Sequence, residues 1–377
     1  MPLVEPRIGE EVGYQRFPKK KSESTIGSPE RVIWSSIRHL CVRDVAVEVL
    51  IDTYNMHRKR DIRKVVQNLN VYITQAYEFY EAAKVADANT APLIYYYSFL
   101  NLAKALCEIR IPDFHKSRYS YHHGLTWKPN TDYLVDLPTD YIRITTRGVF
   151  HILIEAIRGI PIQLRNPLPL KIIDLFDLCP EISTEFDKVL GRKRNYIILH
   201  NPCIYIDTSL RHTWIRIDVL KSELRRLRIS KMQFASLLLP SMDYIFVEVK
   251  GADNDHYTFQ SEPAIECDIA GNALGFNYID PIISSMNLFI YMDRGEIYYI
   301  LPVQHRMSMP LTQIGVLYLI LFWLSSLVRY DPHSVLELQK SRSWILIDGF
   351  MNQSIIWLLE LFEMQLYRQD KVLVSSR

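Results

Sequence analysis

Between Met307 and Val328 the chain reads MSMPLTQIGVLYLILFWLSSLV, a run without a charged residue. Such a stretch belongs either in the hydrocarbon of a bilayer or in a protein core large enough to surround a helix on every side. The run just reaches spanning length, but Pro310, Thr312, Gln313, Ser325 and Ser326 interrupt it. Its strongly apolar part, Ile314 to Leu324, is about two-thirds of the roughly 17–25 residues a span needs. It therefore reads as a buried helix of a soluble protein, with no membrane partner. A chain of 377 residues, 48% of them apolar, supplies the core such a helix needs, in two or three domains or in one large domain with an extension. The opening residues MPLVEPRIGEEVGYQRF carry early acids and no apolar segment, so no secretory signal is expected. Cys41, Cys107, Cys179, Cys203 and Cys267 are dispersed without a C-x-x-C pair. That pattern fits reduced thiols in the cytoplasm and offers no zinc spacing.

The texture along the chain predicts an α+β protein in four parts. Residues 1–30 are polar and turn-rich and read as an N-terminal arm, with Lys19, Lys20 and Lys21 a solvated charge run. Residues 31–194 read as a helical domain. In DIRKVVQNLNVYITQAYEFYEAAKVA the apolar positions Ile62, Val65, Val66, Leu69, Ile73, Ala76 and Tyr77 recur at three- and four-residue spacing. A break at Ala88-Asn89-Thr90 leads into PLIYYYSFLNLAKAL, with Asn89 or Thr90 as cap and Pro92 in the first turn, so two antiparallel helices are expected. Helices are also predicted at RGVFHILIEAIRGI and, split at Pro180, in LPLKIIDLFDLCPEISTEFDKVLG. Residues 195–305 change to short β-branched and aromatic runs separated by turns, an antiparallel β-rich section interrupted by one basic helix at VLKSELRRLRISKMQFASLLL. Residues 306–377 are helical again.

Several segments, in order, resemble the bacterial YaaC-like proteins: RVIWSSI, PLIYYYSFLNLAKAL, HHGL, GVF, IIDLFDLCPEI and SSLVRYDP. The likeness runs from about Val32 to the C-terminus and implies no particular catalytic residue. The N-terminal half also resembles the HEPN superfamily of helical bundles, through Tyr96, Tyr97, Asn101, Lys104, Ala105, Leu106, His123 and Gly124. That second resemblance implies a HEPN-like helical bundle and a dimeric ribonuclease using an Arg and a His four to six residues apart. It equally allows an inactive relative that only binds partners.

Metal-independent RNA cleavage needs a group to move the 2′-hydroxyl proton and a cation to stabilise the phosphorane, roles that His and Arg suit. Two spacings qualify. Arg194, Asn195 and His200 (RNYIILH) are the first choice, with Arg194 as cation, His200 as acid/base and Asn195 as orienter; Arg118 and His123 (RYSYHH) are the alternative. Tyr97, Asn101 and Lys104 form a polar stripe expected near the site. DYIFVEVKG suggests the E-x-K half of a Mg-dependent nuclease, with Asp218, Glu248 and Lys250 as its set. Lys221, Arg225, Arg226, Arg228 and Lys231 line a helix that suits phosphates. The net charge of +2 confines any nucleic-acid surface to a local patch. P-loop, G-x-G-x-x-G, H-E-x-x-H and G-x-S-x-G motifs are absent, so no cofactor is expected. The expected function is a nucleic-acid-directed effector in defence or stress, acting on RNA or DNA as a homo-oligomer or with a partner protein. The alternative is a non-catalytic binding or assembly module.

Overall fold

The computed structural model describes residues 5–13, 19–24, 29–128, 135–159, 161–162, 164–199, 202–238, 244–250, 254–266, 286, 288–293, 296–303, 311–368 and 370–375. The chain forms two compact units, one of residues 20–194 and 312–377, the other of residues 1–19 and 195–311. The first is mainly helical and the second mainly sheet.

In the helical unit, α1 (Pro29–His39), α2 (Arg43–Asp52), α3 (Lys59–Lys84), α4 (Ala91–Arg110), α5 (Val149–Arg158), α6 (Ile172–Asp177) and α7 (Ser183–Leu190) precede the sheet unit. The sheet unit holds α8 (Lys221–Leu227) and α9 (Lys231–Leu238). The helical unit then resumes with α10 (Gln313–Tyr330), α11 (Pro332–Lys340), α12 (Trp344–Gly349) and α13 (Ile355–Tyr367). α3 buries Ile62, Val65, Leu69, Ile73, Ala76, Tyr80 and Ala83 against α4. The contacts Tyr80–Tyr95, Ala76–Ser98, Tyr72–Lys104 and Asn68–Glu108 step in opposite directions along the two helices, so they are antiparallel. Thr90 occupies the N-cap position of α4 with Pro92 in the first turn, but its hydroxyl donates to the Asp87 carbonyl instead of receiving an amide.

α4 is the middle of this unit and packs against α3, α5, α10 and α13. α10 is the uncharged run, of which 307–310 lies outside the described residues. It starts where the Thr312 hydroxyl accepts from the Gly315 amide at 3.1 Å. It ends at Asp331-Pro332, where proline can neither donate to nor continue the preceding turn, and Asp331 instead caps α11 by accepting from the Ser334 amide at 3.2 Å. Among the described residues two helical stretches are long and apolar enough to cross a membrane, Gln313–Tyr330 and Trp344–Tyr367, and 83% of the first and 56% of the second lie buried within the protein.

The helical reading of 31–194 omitted a small antiparallel sheet: β3 (Leu125–Thr126), β4 (Tyr141–Ile144) and β5 (Leu168–Lys171). The N-terminal arm is likewise structured. β1 (Glu10–Gly13) pairs with β7, and β2 (Lys19–Ser24) with β14 (Asp370–Ser375).

The sheet unit contains β6 (Tyr196–Leu199), β7 (Cys203–Asp207), β8 (His212–Leu220), β9 (Ile245–Val249), β10 (His256–Glu262), β11 (Ile265–Glu266), β12 (Phe289–Asp293) and β13 (Glu296–Pro302). Its larger sheet runs β1-β7-β8-β10-β9 with β11 on β8, and its smaller one β12-β13-β6. Ile204, Ile206, Ile215, Ile217 and Phe259 form a core with Phe234 and Leu238 of α9. The predicted single basic helix is two, because Arg228 adopts a left-handed conformation (φ 55°) between α8 and α9.

Candidate functional site

Tyr95, Tyr96 and Tyr97 leave α4 in different directions, and Tyr96 and Tyr97 open onto a pocket of about 440 Å³ in the helical unit. Its walls also include His123, Thr126 and Trp127 from the segment after α4, and Phe322, Ser325, Ser326, Arg329 and Tyr330 from α10. No carboxylate lines it. Three of the quoted segments thus converge: the tyrosine run, HHGL and SSLVRYDP.

His123 is set by backbone before side chains act on it. The His122 carbonyl accepts from the Val149 amide at 2.7 Å, and the His123 carbonyl from Phe150 at 3.0 Å. These bonds satisfy the first amides of α5, which have no partners within the helix. The crossing is close: a Cβ on Gly148 would stand 2.3 Å from Gly124 Cα, and both glycines have positive φ, +145° and +79°. HHGL and GVF are two halves of one joint.

The ring of His123 then meets Tyr96. Tyr96 Oη and His123 Nδ1 are 2.7 Å apart, and Tyr318 Oη donates to Tyr96 Oη at 3.3 Å. With its oxygen already accepting from Tyr318, Tyr96 gives its own proton to Nδ1, so the neutral imidazole carries its hydrogen on Nε2. Burial holds the Tyr96 and Tyr318 phenols well above their ordinary range, so both stay neutral. The His123 pKa is lowered, first by burial and then by the nearby charges of Lys104, Arg329 and His122. Lys104, itself lowered by burial, lies over the Tyr72 ring at 6.0 Å. Arg329 donates to Tyr97 Oη at 3.4 Å. Behind Trp127, Asp140 accepts from the indoles of Trp127 (2.9 Å) and Trp323 (2.6 Å) and holds both rings in place. Burial raises its pKa, while those bonds and the Tyr141 amide oppose the shift. The result is an aromatic pocket with one cation, Arg329, and a fixed imidazole N–H, suited to an anion bearing a planar group.

Of the predicted stripe, Tyr97 is in the pocket wall, whereas Asn101 donates to the Tyr97 carbonyl at 3.0 Å and Lys104 lies over Tyr72, neither of them a wall residue. His123 is in the pocket. Arg118 is not among its wall residues; it sits in a 3₁₀ turn (Arg118–Tyr121) and, with Arg147, donates to Tyr119 Oη. The first-choice set spans the two units and is only partly described. The division between units falls between Arg194 and Asn195, the Asn195 carbonyl accepts from Val303 at 2.9 Å, and His200 lies outside the described residues.

The E-x-K set is separated by register. Asp218 pairs with Thr258, which pairs with Val249, whereas Glu248 pairs with Phe259. Paired residues share a face and neighbours alternate, so Asp218 lies on the opposite face of the sheet from Glu248 and Lys250. Thr258 donates to Asp218 at 2.5 Å, and Lys231 donates to Glu248 at 2.7 Å. No metal-ligating cluster occurs among the described residues. The basic strip is partly consumed too. Arg226 pairs with Glu223 at 2.7 Å, Lys231 with Glu248, and Lys221 donates to the Asn254 carbonyl at 2.5 Å. Arg225 turns back to the Lys221 carbonyl at 3.3 Å, and the backbone of Arg228 makes the left-handed turn.

Sequence reasoning missed Arg329, Trp127 and Asp140, whose roles arise from contacts across the whole unit; Arg329 and Tyr97 are 232 residues apart.

An α+β chain whose helical unit carries a tyrosine–histidine pocket is the class these observations define. A family model described as YaaC-like protein matches residues 42–366, and the chain belongs to that family. No curated protein and no solved structure matches it significantly.

Proposed function

We propose that this YaaC-like protein is an RNA-directed effector whose helical unit is HEPN-like, and that RNA binds in the Tyr96–His123 pocket and is cleaved there without a metal. The observation that carries this reading is that His123 and Arg329 share a pocket whose wall has no carboxylate. A phosphate there meets the Arg329 guanidinium and a neutral imidazole donor, and bases meet Tyr97, Trp127 and Tyr330, the combination single-stranded nucleic acids require. The role in bacterial defence or stress, and action as a homo-oligomer, rest on the HEPN likeness.

The test is binding and cleavage of total RNA with and without EDTA, wild type beside His123→Ala, Arg329→Ala and Tyr96→Phe. Cleavage is expected to survive EDTA and to fall about 10²-fold or more in His123→Ala, with a smaller loss in Tyr96→Phe. Binding is expected to weaken with salt. Binding and cleavage unchanged in both alanine variants would sink the pocket reading, and loss of cleavage in EDTA would sink metal independence.

One observation favours a binding module without catalysis. An open groove of about 670 Å³ on the β4–β5 face is lined by Thr139, Tyr141, Arg143, Pro167, Pro169 and Lys171, again without an acid. The guanidinium of Arg143 lies over the Tyr141 ring at 5.2 Å. Stable, salt-sensitive RNA binding without cleavage selects this reading.

A further inference from the structure

The Tyr96–His123 pocket and the β4–β5 groove belong to the same unit, and the register of the small sheet joins them. Burial alternates along its strands. Leu125, Ile142, Ile144 and Leu170 are buried, whereas Thr126, Tyr141, Arg143, Pro169 and Lys171 are exposed. Thr126 pairs with Arg143, Arg143 with Pro169, and Tyr141 with Lys171. Paired residues share a face, so these five side chains form one outer surface. Thr126 is a wall residue of the pocket, and Arg143 of the groove. Opposed residues of antiparallel strands have Cβ atoms about 4.5–5.5 Å apart. The two hollows are therefore neighbours across a single ladder step, from β3 to β4.

The chemistry is alike on both sides of that step. The pocket has Arg329 with Tyr97, Trp127 and Tyr330, and the groove has Arg143 and Lys171 with Tyr141. Arg143 donates to Tyr141 Oη at 3.1 Å, and its guanidinium fork has further donors to offer a ligand. Among the described residues neither wall contains an acid. Asp140 is held by the indoles of Trp127 and Trp323, and Asp136, to which the Thr139 hydroxyl donates at 3.4 Å, lines neither hollow. β5 is the outer strand of the sheet among the described residues, and Pro169 on it has no amide to give a further strand. The surface is thus ill suited to a protein segment added at the edge. It matches a polyanion with planar groups, phosphates on the cations and bases on the rings. We infer that pocket and groove form one continuous track for single-stranded RNA, in which a strand with a phosphate at Arg329 and His123 crosses Thr126 and continues over Arg143 and Tyr141 to Lys171. This rests on the RNA reading above and deepens it: the groove sets the length of strand recognised, and the pocket is where the strand is cut.

Titration calorimetry with an oligouridylate of about ten nucleotides, within the roughly 4–16 that single-strand sites cover, tests this. Wild type is compared with Arg329→Ala and with the double variant Arg143→Ala/Lys171→Ala over a range of salt concentrations. One strand should bind per chain, and both variants should weaken that same event. The double variant should lower the salt slope by about 1.4, two phosphate contacts at about 0.7 each. Two strands per chain, or a double variant that binds as wild type does, would overturn the track and leave the pocket standing. Loss in the double variant with none in Arg329→Ala would overturn track and pocket together. A wild type that binds no RNA removes the RNA reading itself. Both groove side chains are exposed, so the double variant should melt as wild type does. Should it fold poorly, photocrosslinking of wild type to a strand carrying 4-thiouridine at successive positions decides. Adducts should move from Trp127 or Tyr330 to Tyr141 along one strand, and adducts confined to one hollow refute the track.

Discussion

Successive side chains on a helix are about 100° apart, so Tyr95, Tyr96 and Tyr97 cannot share a neighbour. Tyr95 meets Tyr80 edge-on with ring centroids 5.1 Å apart, Tyr96 meets His123 and Tyr318, and Tyr97 faces Phe79 and Arg329. The first supports packing and the other two carry polar contacts at the pocket. A second residue with an unusual setting is Glu181, away from that pocket. Its Oε1 accepts from Ser354 at 2.7 Å, Ser354 being presented by a π-helical turn (Phe350–Ser354), and its Oε2 is buried without a hydrogen-bond partner. Desolvation pushes its pKa up to about 7 from an ordinary 4.5, with the Ser354 bond pulling the other way. The folded state therefore binds this proton more tightly than the unfolded one. The contribution is intact below about pH 4.5 and is lost as pH rises through about 7. Glu181→Gln, which stays neutral, should match wild type in stability at pH 4 and exceed it at pH 8 by roughly 2–4 kcal/mol at most, read as a higher melting temperature. Equal melting curves at pH 8 would refute the buried charge. His123 and His151, both lowered by burial, act in the opposite sense and lose stability as pH falls below 6.5 in both proteins.

At the scale of elements, the joint between the HHGL turn and the start of α5 holds the pocket in register. Gly148→Ala would put a methyl into Gly124 and force alanine to φ +145°. The expected loss is on the order of 3 kcal/mol or more, with His123 displaced. Thermal unfolding checks the first and the His123 imidazole resonance the second, and an unchanged melting temperature would mean the two turns are not in contact. This scale also shows which elements were legible. α3 and α4 were, because their three- and four-residue spacing runs over many turns; the strands from β6 to β13 were, because β-branched runs alternate with turn clusters. β3, β4 and β5 were not. They are two to four residues long, too short for a period, and exist because they pair with each other across loops. The site divided along the same line. Tyr97 and His123 stood out as chemistry on a helix or a turn, whereas Arg329 hides in an apolar run.

At the scale of the molecule, the sheet unit takes its edge strand from the other end of the chain. β1 pairs with β7, Arg7 forms an ion pair with Glu262, and its carbonyl accepts from Arg216 at 2.9 Å. A Cβ on Gly9 would come within 2.6 Å of Trp214. Removing residues 1–19 should therefore open the β7 edge and uncover Trp214 and Gln260. Hydrogen exchange should show lost protection in β7 and β8 with α3 and α4 unchanged; uniform protection would mean the segment only rests on the sheet. The helical unit is discontinuous in the same way, since Tyr96 waits for Tyr318, 222 residues later. At about 5–20 residues per second on the ribosome, that wait lasts roughly 10–45 seconds. Throughout it the apolar flank of α4 that α10 will cover is bare on the growing chain, a hold-point during synthesis at which a chaperone has time to bind.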